Sequence, residues 1–106
     1  MQRQFAVTLH VPLGERHGTL RFTQRDGTVS GTLEAFGAQS PFSGTASADG
    51  HLQLDGRMHA PRRSFPFCAE GYANGNTLEL TVAGDRYAFR ITGEETPPPD
   101  KEVTPA

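Results

Sequence analysis

The chain of 106 residues has one domain's worth of length, and its 12 Gly, 8 Pro and 35% apolar residues fit many short strands and tight turns, with helix formers nowhere gathered at helical spacing. Ten Lys plus Arg against 12 Asp plus Glu give a formal charge of −2, which argues against nonspecific attraction to nucleic acid or to an acidic membrane surface. The single cysteine, Cys68, has no partner for an intramolecular disulfide and no Cys or His at metal-ligand spacing.

The first run, Gln4 to Leu13, sets Phe5, Val7, Leu9 and Val11 against Ala6, Thr8, His10 and Pro12. A period of two predicts a half-buried strand. Gly14-Glu15 is the expected turn. The stretch His17 to Phe36 then reads as a hairpin: Leu20 and Phe22 face inward, Asp26-Gly27 turns the chain, and Val29, Gly31, Leu33 and Ala35 return on the inward side. A looser connection is expected over Gly37 to Ser40.

The pattern resumes with Phe42, Gly44, Ala46 and Ala48 inward, a second hairpin signal at Asp49-Gly50, and Leu52, Leu54, Gly56 and Met58 inward on the next strand. Residues 60–64 form the expected link to Phe65, Phe67, Ala69, Gly71 and Ala73. Pro66 cannot donate to a ladder, so it predicts a loop or a partly open seam between strands five and six. Asn74-Gly75 turns into Leu78, Leu80 and Val82, and Gly84-Asp85 leads to Tyr87, Phe89 and Ile91.

These runs predict an all-β fold of eight strands in meander order. The first and last strands of such a meander are antiparallel and can pair, which removes two aggregation-prone edges. The expected architecture is therefore an eight-stranded antiparallel up-and-down β-barrel, with inward glycines at 31, 44, 56 and 71 where the strands must bend. Residues 1–93 make the barrel domain. Residues 94–106 have no apolar period and are expected to be a flexible acidic, Pro-rich tail: four acids against one lysine put −3 there and leave +1 on the barrel.

Turns alternate between barrel ends, and the two connections expected to be longest, around Phe36 to Ser40 and Ala60 to Phe65, share one end. That end is the expected mouth. It would collect Arg16, His17, Phe36, His59, Arg62 and Arg63 above an interior lined by Phe22, Phe42, Met58, Phe67, Tyr87 and Phe89. A greasy interior under a cationic rim suits an amphipathic anion, its apolar part inside and its carboxylate or phosphate paired to arginine. The competing expectation is a barrel filled by its own side chains, its arginines a solvated loop.

No motif specifies a reaction. Of His10, His17, His51 and His59, three have outward parity, and His51 and His59 would lie roughly 27 Å apart along one strand, too far to share a metal. No Ser stands in a G-x-S-x-G elbow, and no inward position holds a carboxylate or histidine that could form a buried acid/base pair. Cys68 is outward, with no base assignable to it. No cofactor or metal is expected. The opening MQRQFAVTLHV lacks the long apolar centre of a signal peptide and no apolar run reaches membrane-helix length, so the expected location is the cytoplasm.

Residues 11–20 (Val-Pro-Leu-Gly-Glu-Arg-His-Gly-Thr-Leu), 26–33 (Asp-Gly-Thr-Val-Ser-Gly-Thr-Leu) and 41–45 (Pro-Phe-Ser-Gly-Thr) resemble those of small bacterial calycin-like barrels of the lipocalin/avidin type. The resemblance covers residues 4–93. It implies a calycin-like fold, found alone or beside flavin reductase-type enzymes. True lipocalins resemble one another in a Gly-x-Trp near the first strand, and avidins use tryptophans around biotin; this chain has no tryptophan, so neither ligand set carries over. Fatty-acid-binding proteins differ further, having ten strands, a helical lid and internal arginines.

The functional expectation is a non-enzymatic module that binds a hydrophobic or amphipathic anionic small molecule, with no nucleic acid or membrane partner. The alternative is a structural or interaction domain with a filled core, either a homo-oligomer using the outer face near Cys68, Glu70 and Tyr72 or an accessory to a flavin reductase-type enzyme.

Overall fold

Strands form where the alternation predicts them, because each run buries one face and leaves the other to threonine and charge. The computed structural model describes residues 2–12, 14–60, 63–84 and 88–96. Its elements are β1 (Gln2–Val11), β2 (Gly14–Arg25), β3 (Thr28–Ala35), β4 (Ala38–Ala46), β5 (His51–Ala60), β6 (Arg63–Asn74), β7 (Thr77–Ala83) and β8 (Ala88–Thr96). Every strand pairs antiparallel with the next, and β8 returns to β1 with Gln4 opposite Thr96, closing the barrel.

The interior holds Phe5, Val7 and Leu9 from β1, Leu20 and Phe22 from β2, Val29 and Leu33 from β3, and Phe42 from β4. Leu52, Leu54, Met58, Phe65 and Phe67 of β5 and β6 join them, with Leu78, Leu80, Val82, Phe89 and Ile91 from the last two strands. Inward parity holds along these runs. Two residues depart from expectation: Ala48 is exposed in the connection after β4, whereas Ser40, expected in a loop, is buried on β4.

The turns also differ in detail. Asp26 (φ 52°) and Gly27 (φ 83°) make the expected left-handed pair of a two-residue hairpin. The looser link after β3 is instead a tight turn at Phe36 (φ 58°) and Gly37 (φ 72°), with β4 beginning at Ala38. A phenylalanine in that region is uncommon. Its ring packs against the core, and this burial offsets a backbone cost of about 1–2 kcal/mol. Gly14 is not a turn residue but the partner of Val11, and the turn after β6 falls at 75–76 because Asn74 pairs with Thr77.

The expected long link at 60–64 is likewise short, since Ala60 pairs with Arg63. Loop length therefore does not mark a mouth. Pro66 opens no seam between β5 and β6, where the ladder is continuous from His51↔Tyr72 to Ala60↔Arg63. Bond alternation explains this: Ala73 bonds to Gly50, so Pro66 occupies a non-bonded pair with Arg57 and its missing N–H faces the β7 side.

β8 runs to Thr96, three residues past the expected barrel boundary at 93; of the expected tail, residues 97–106 lie outside the described residues. The extension closes the barrel with a clasp. Arg3 Nε and Nη2 donate to Glu95 Oε2 and Oε1 at 3.0 and 2.9 Å, Nη2 also reaches the Gly75 carbonyl at 3.1 Å, and the guanidinium lies 5.1 Å from the Phe5 ring centroid. The hydrogen bonds from Arg3, and then its charge, hold the Glu95 carboxyl below its ordinary value against the opposing effect of partial burial.

Because the folded-state pKa is depressed, this pair stabilises the protein fully above the unfolded glutamate value of about 4.3 and loses its effect as pH falls through the folded value. Glu95→Gln is expected to cost up to about 1 kcal/mol at pH 7 and nothing near pH 2. Urea unfolding at both values checks it, and an equal loss at both would show that the charge is irrelevant.

Candidate functional site

The barrel end formed by the turns after β1, β3 and β5 carries most of the residues singled out from the sequence. Arg16 and Arg63 have inward parity at the rim, on β2 and β6, which stand on opposite sides of the eight-strand ring. Both are exposed. Arg16 Nη1 donates to the Glu15 carbonyl at 3.0 Å, and the Arg63 guanidinium lies 5.1 Å from the centroid of Phe65.

His17 and His59 have the opposite parity. His17 stands on the outer wall with Nδ1 3.3 Å from Thr8 Oγ1, and half-buried His59 is linked to the interior only through its backbone N–H. Phe36, in its left-handed turn at the same end, packs against the core, as does Val11. Phe22, Phe42, Met58, Phe67 and Phe89 all lie buried inside. Arg62 and Tyr87 lie outside the described residues.

What distinguishes this end is an interruption in its wall. The β4–β5 ladder runs from Ala46↔Leu52 only to Phe42↔Gly56, although both strands continue past it. Ser47 donates to His51, so the alternation makes Pro41 and Arg57 the next bonded pair, and proline has no N–H to give. The ladder stops there. Two residues on, the His59 N–H that a regular ladder would direct to the Gln39 carbonyl donates instead to Ser40 Oγ at 2.9 Å. On the other flank of the β5–β6 hairpin, Pro66 follows the same rule, one bonded step beyond the last described β6–β7 pair, Cys68↔Ala83.

The described part of the β5–β6 tip is held by its own ladder, by the His59 N–H on Ser40 Oγ, and by Met58 and Phe65, which pair across it and bury their side chains in the core. Ser40 is the residue that sequence reasoning missed. Counting back by two from Phe42 puts it inside, a signal hidden by the assumption of a loop.

On the outer wall, the Cys68 thiol donates to Asp55 Oδ1 at 3.1 Å, and the bond and charge of that carboxylate hold the thiol above its ordinary pKa. A raised pKa leaves little nucleophilic thiolate at neutral pH. His51 Nε2 lies 2.8 Å from Glu70 Oε2, and its ring is 5.0 Å from that of Tyr72, a large apolar side chain left 47% exposed. Tyr72 borders a groove of about 610 Å³ floored by Ala6 and Gly93. Among the described residues no three His, Cys, Asp or Glu side chains gather as a metal site.

Comparison with protein-family models, with curated proteins and with solved structures found no match to this chain.

Proposed function

We propose that the protein is a non-enzymatic, calycin-like barrel that holds a hydrophobic or amphipathic anionic small molecule. The observation that carries this reading is the pairing of an aromatic, almost wholly apolar interior with a wall whose backbone ladder is interrupted at one end. Apolar pockets with a few placed polar groups are the usual form of small-molecule sites. Arg16 and Arg63 at inward rim positions supply the cationic partners for an anionic head group, with Arg62 next in sequence.

The outward face mixes charges of both signs, as in Arg21 beside Glu34 and Arg90 on Glu79. Such a surface is neither the basic footprint of a nucleic-acid binder nor the apolar band of a lipid-facing barrel, and it fits a cytoplasmic protein. Native mass spectrometry of the purified protein is expected to show an apolar adduct, or an apolar fluorescent probe to bind. Failure of both ends this reading. Arg62→Ala combined with Arg63→Ala is expected to weaken a fluorescent fatty acid by about 1–3 kcal/mol, the worth of charge-assisted hydrogen bonds; unchanged affinity removes the two from the site.

A second reading, an interaction domain, is favoured by exposed Tyr72 beside the His51–Glu70 pair, where a second copy of the chain or a flavin reductase-type enzyme would dock. It requires a mass by light scattering that rises with concentration or with an added partner.

A further inference from the structure

We propose that the ligand enters through the interrupted β4–β5 ladder and that the Ser40 hydroxyl anchors it by donating to a carbonyl-type oxygen, a carboxylate or an ester. This rests on the small-molecule reading above.

Ser40 is 1% exposed and is the buried polar side chain of the described core. Its Oγ accepts the His59 N–H at 2.9 Å, while its own proton has only the Met58 thioether at 3.7 Å. Sulfur is a weak acceptor, so a buried hydroxyl directed at it gains from any oxygen that takes its place. Methionine is the flexible side chain most easily displaced by such a guest. The structural duty of the hydroxyl, accepting from His59, uses its lone pairs and not its proton, which is what a guest oxygen would take.

The ladder break borders this buried hydroxyl, since Ser40 lies on the part of β4 beyond the last pair with β5. Pro41 cannot give one of the two bonds of its pair with Arg57, the paired stretch ends at Phe42↔Gly56, and Arg57 is exposed beside that end. Inward of it, the register sets Phe42 against Gly56, Gly56 against Phe67 and Met58 against Phe65. The wall is closed as far as Gly56, where a Cβ would stand 2.3 Å from the Pro41 carbonyl, so the opening is the unpaired stretch beyond it, Ala38 to Ser40 on β4 facing Met58 and His59 on β5. An oxygen at Ser40 therefore has an apolar chain's worth of aromatic lining behind it and a guanidinium outside.

The test uses three fluorescent probes on the whole protein: cis-parinaric acid, its methyl ester, and the hydrocarbon diphenylhexatriene. Ser40→Ala is expected to weaken the acid, the ester or both by about five- to tenfold, as for one hydrogen bond, and to leave diphenylhexatriene unchanged. Loss for both assigns the effect to the shared carbonyl oxygen, and loss for the acid alone assigns it to the carboxylate. Acid, ester and hydrocarbon all keeping their relative affinities in Ser40→Ala overturns the proposal, as does wild-type protein that takes up diphenylhexatriene but neither oxygen-bearing probe. If no probe binds the wild type, the small-molecule reading itself has failed.

Ser40→Ala also orphans the His59 N–H. Where it does not fold, Met58→Leu takes its place: this volume-conserving change keeps the His59 bond and deprives the hydroxyl of its thioether. It is expected to raise acid or ester affinity about two- to threefold relative to diphenylhexatriene, and an unchanged or lower ratio overturns the proposal.

Discussion

Gly71→Ala is expected to destabilise the barrel by at least about 3 kcal/mol, a large share of the roughly 5–15 kcal/mol that holds a domain together. The glycine is at mid-strand in β6, and its backbone conformation is ordinary; what excludes a side chain is the neighbouring strand. A Cβ would sit 1.8 Å from the Glu79 carbonyl oxygen and 2.8 Å from the Leu80 Cα, both backbone atoms of β7. No rotamer change relieves that overlap, so the β6–β7 ladder must separate. Gly44, whose Cβ would meet the Gln53 carbonyl at 1.8 Å, is expected to behave alike. Urea unfolding followed by circular dichroism measures both, with outward Ser43→Ala as a control within about 0.5 kcal/mol. A loss below 1 kcal/mol for Gly71→Ala would mean that the strands are free to move apart.

Phe5→Ala is expected to cost about 3–5 kcal/mol. Phe5 is fully buried on β1, the strand that closes the barrel, with Leu20 opposite it on β2 and Glu95 opposite it on β8. Its ring stacks on Phe22 at 6.0 Å between centroids with the planes 18° apart, and the guanidinium of the Arg3 clasp lies 5.1 Å from its centroid. Truncation removes the stack, the cation partner and the apolar fill together. The same variant separates a filled interior from one with spare room. In a filled core the new void is stiff, the loss reaches the upper figure and diphenylhexatriene binding rises; in an already roomy one the loss falls toward the lower figure and binding hardly changes.

Most of the fold was legible because one signal, alternation, set strand number, facing and order at once. Phe5, Val7 and Leu9 could not face water, and once one residue of a run was placed the rest followed. Closure followed from an even strand count. The misplacements came where that signal thins. Phe36 does not advertise a left-handed turn, since only its burial makes the conformation tolerable, and a hairpin was therefore mistaken for a loose link. That assumption hid Ser40. Pro41 and Pro66 were both visible, but which neighbour a proline fails to bond depends on ladder parity, which depends on turns one residue long or short. The rim was legible as a list of cations and not as a geometry: Arg16 and Arg63 keep inward positions on opposite walls, while His17 and His59 turn outward.

The head-to-tail pairing of β1 with β8 also orders events during folding. Seven of the eight ladders join consecutive strands and form locally, whereas Gln4 meets Thr96 across almost the whole described chain. Loop-closure entropy and dependence on the curvature of everything between make that seam the last to zip. Until it does, the nascent sheet carries two bare edges, so the interval before closure is when this protein is most exposed to pairing with another copy of itself.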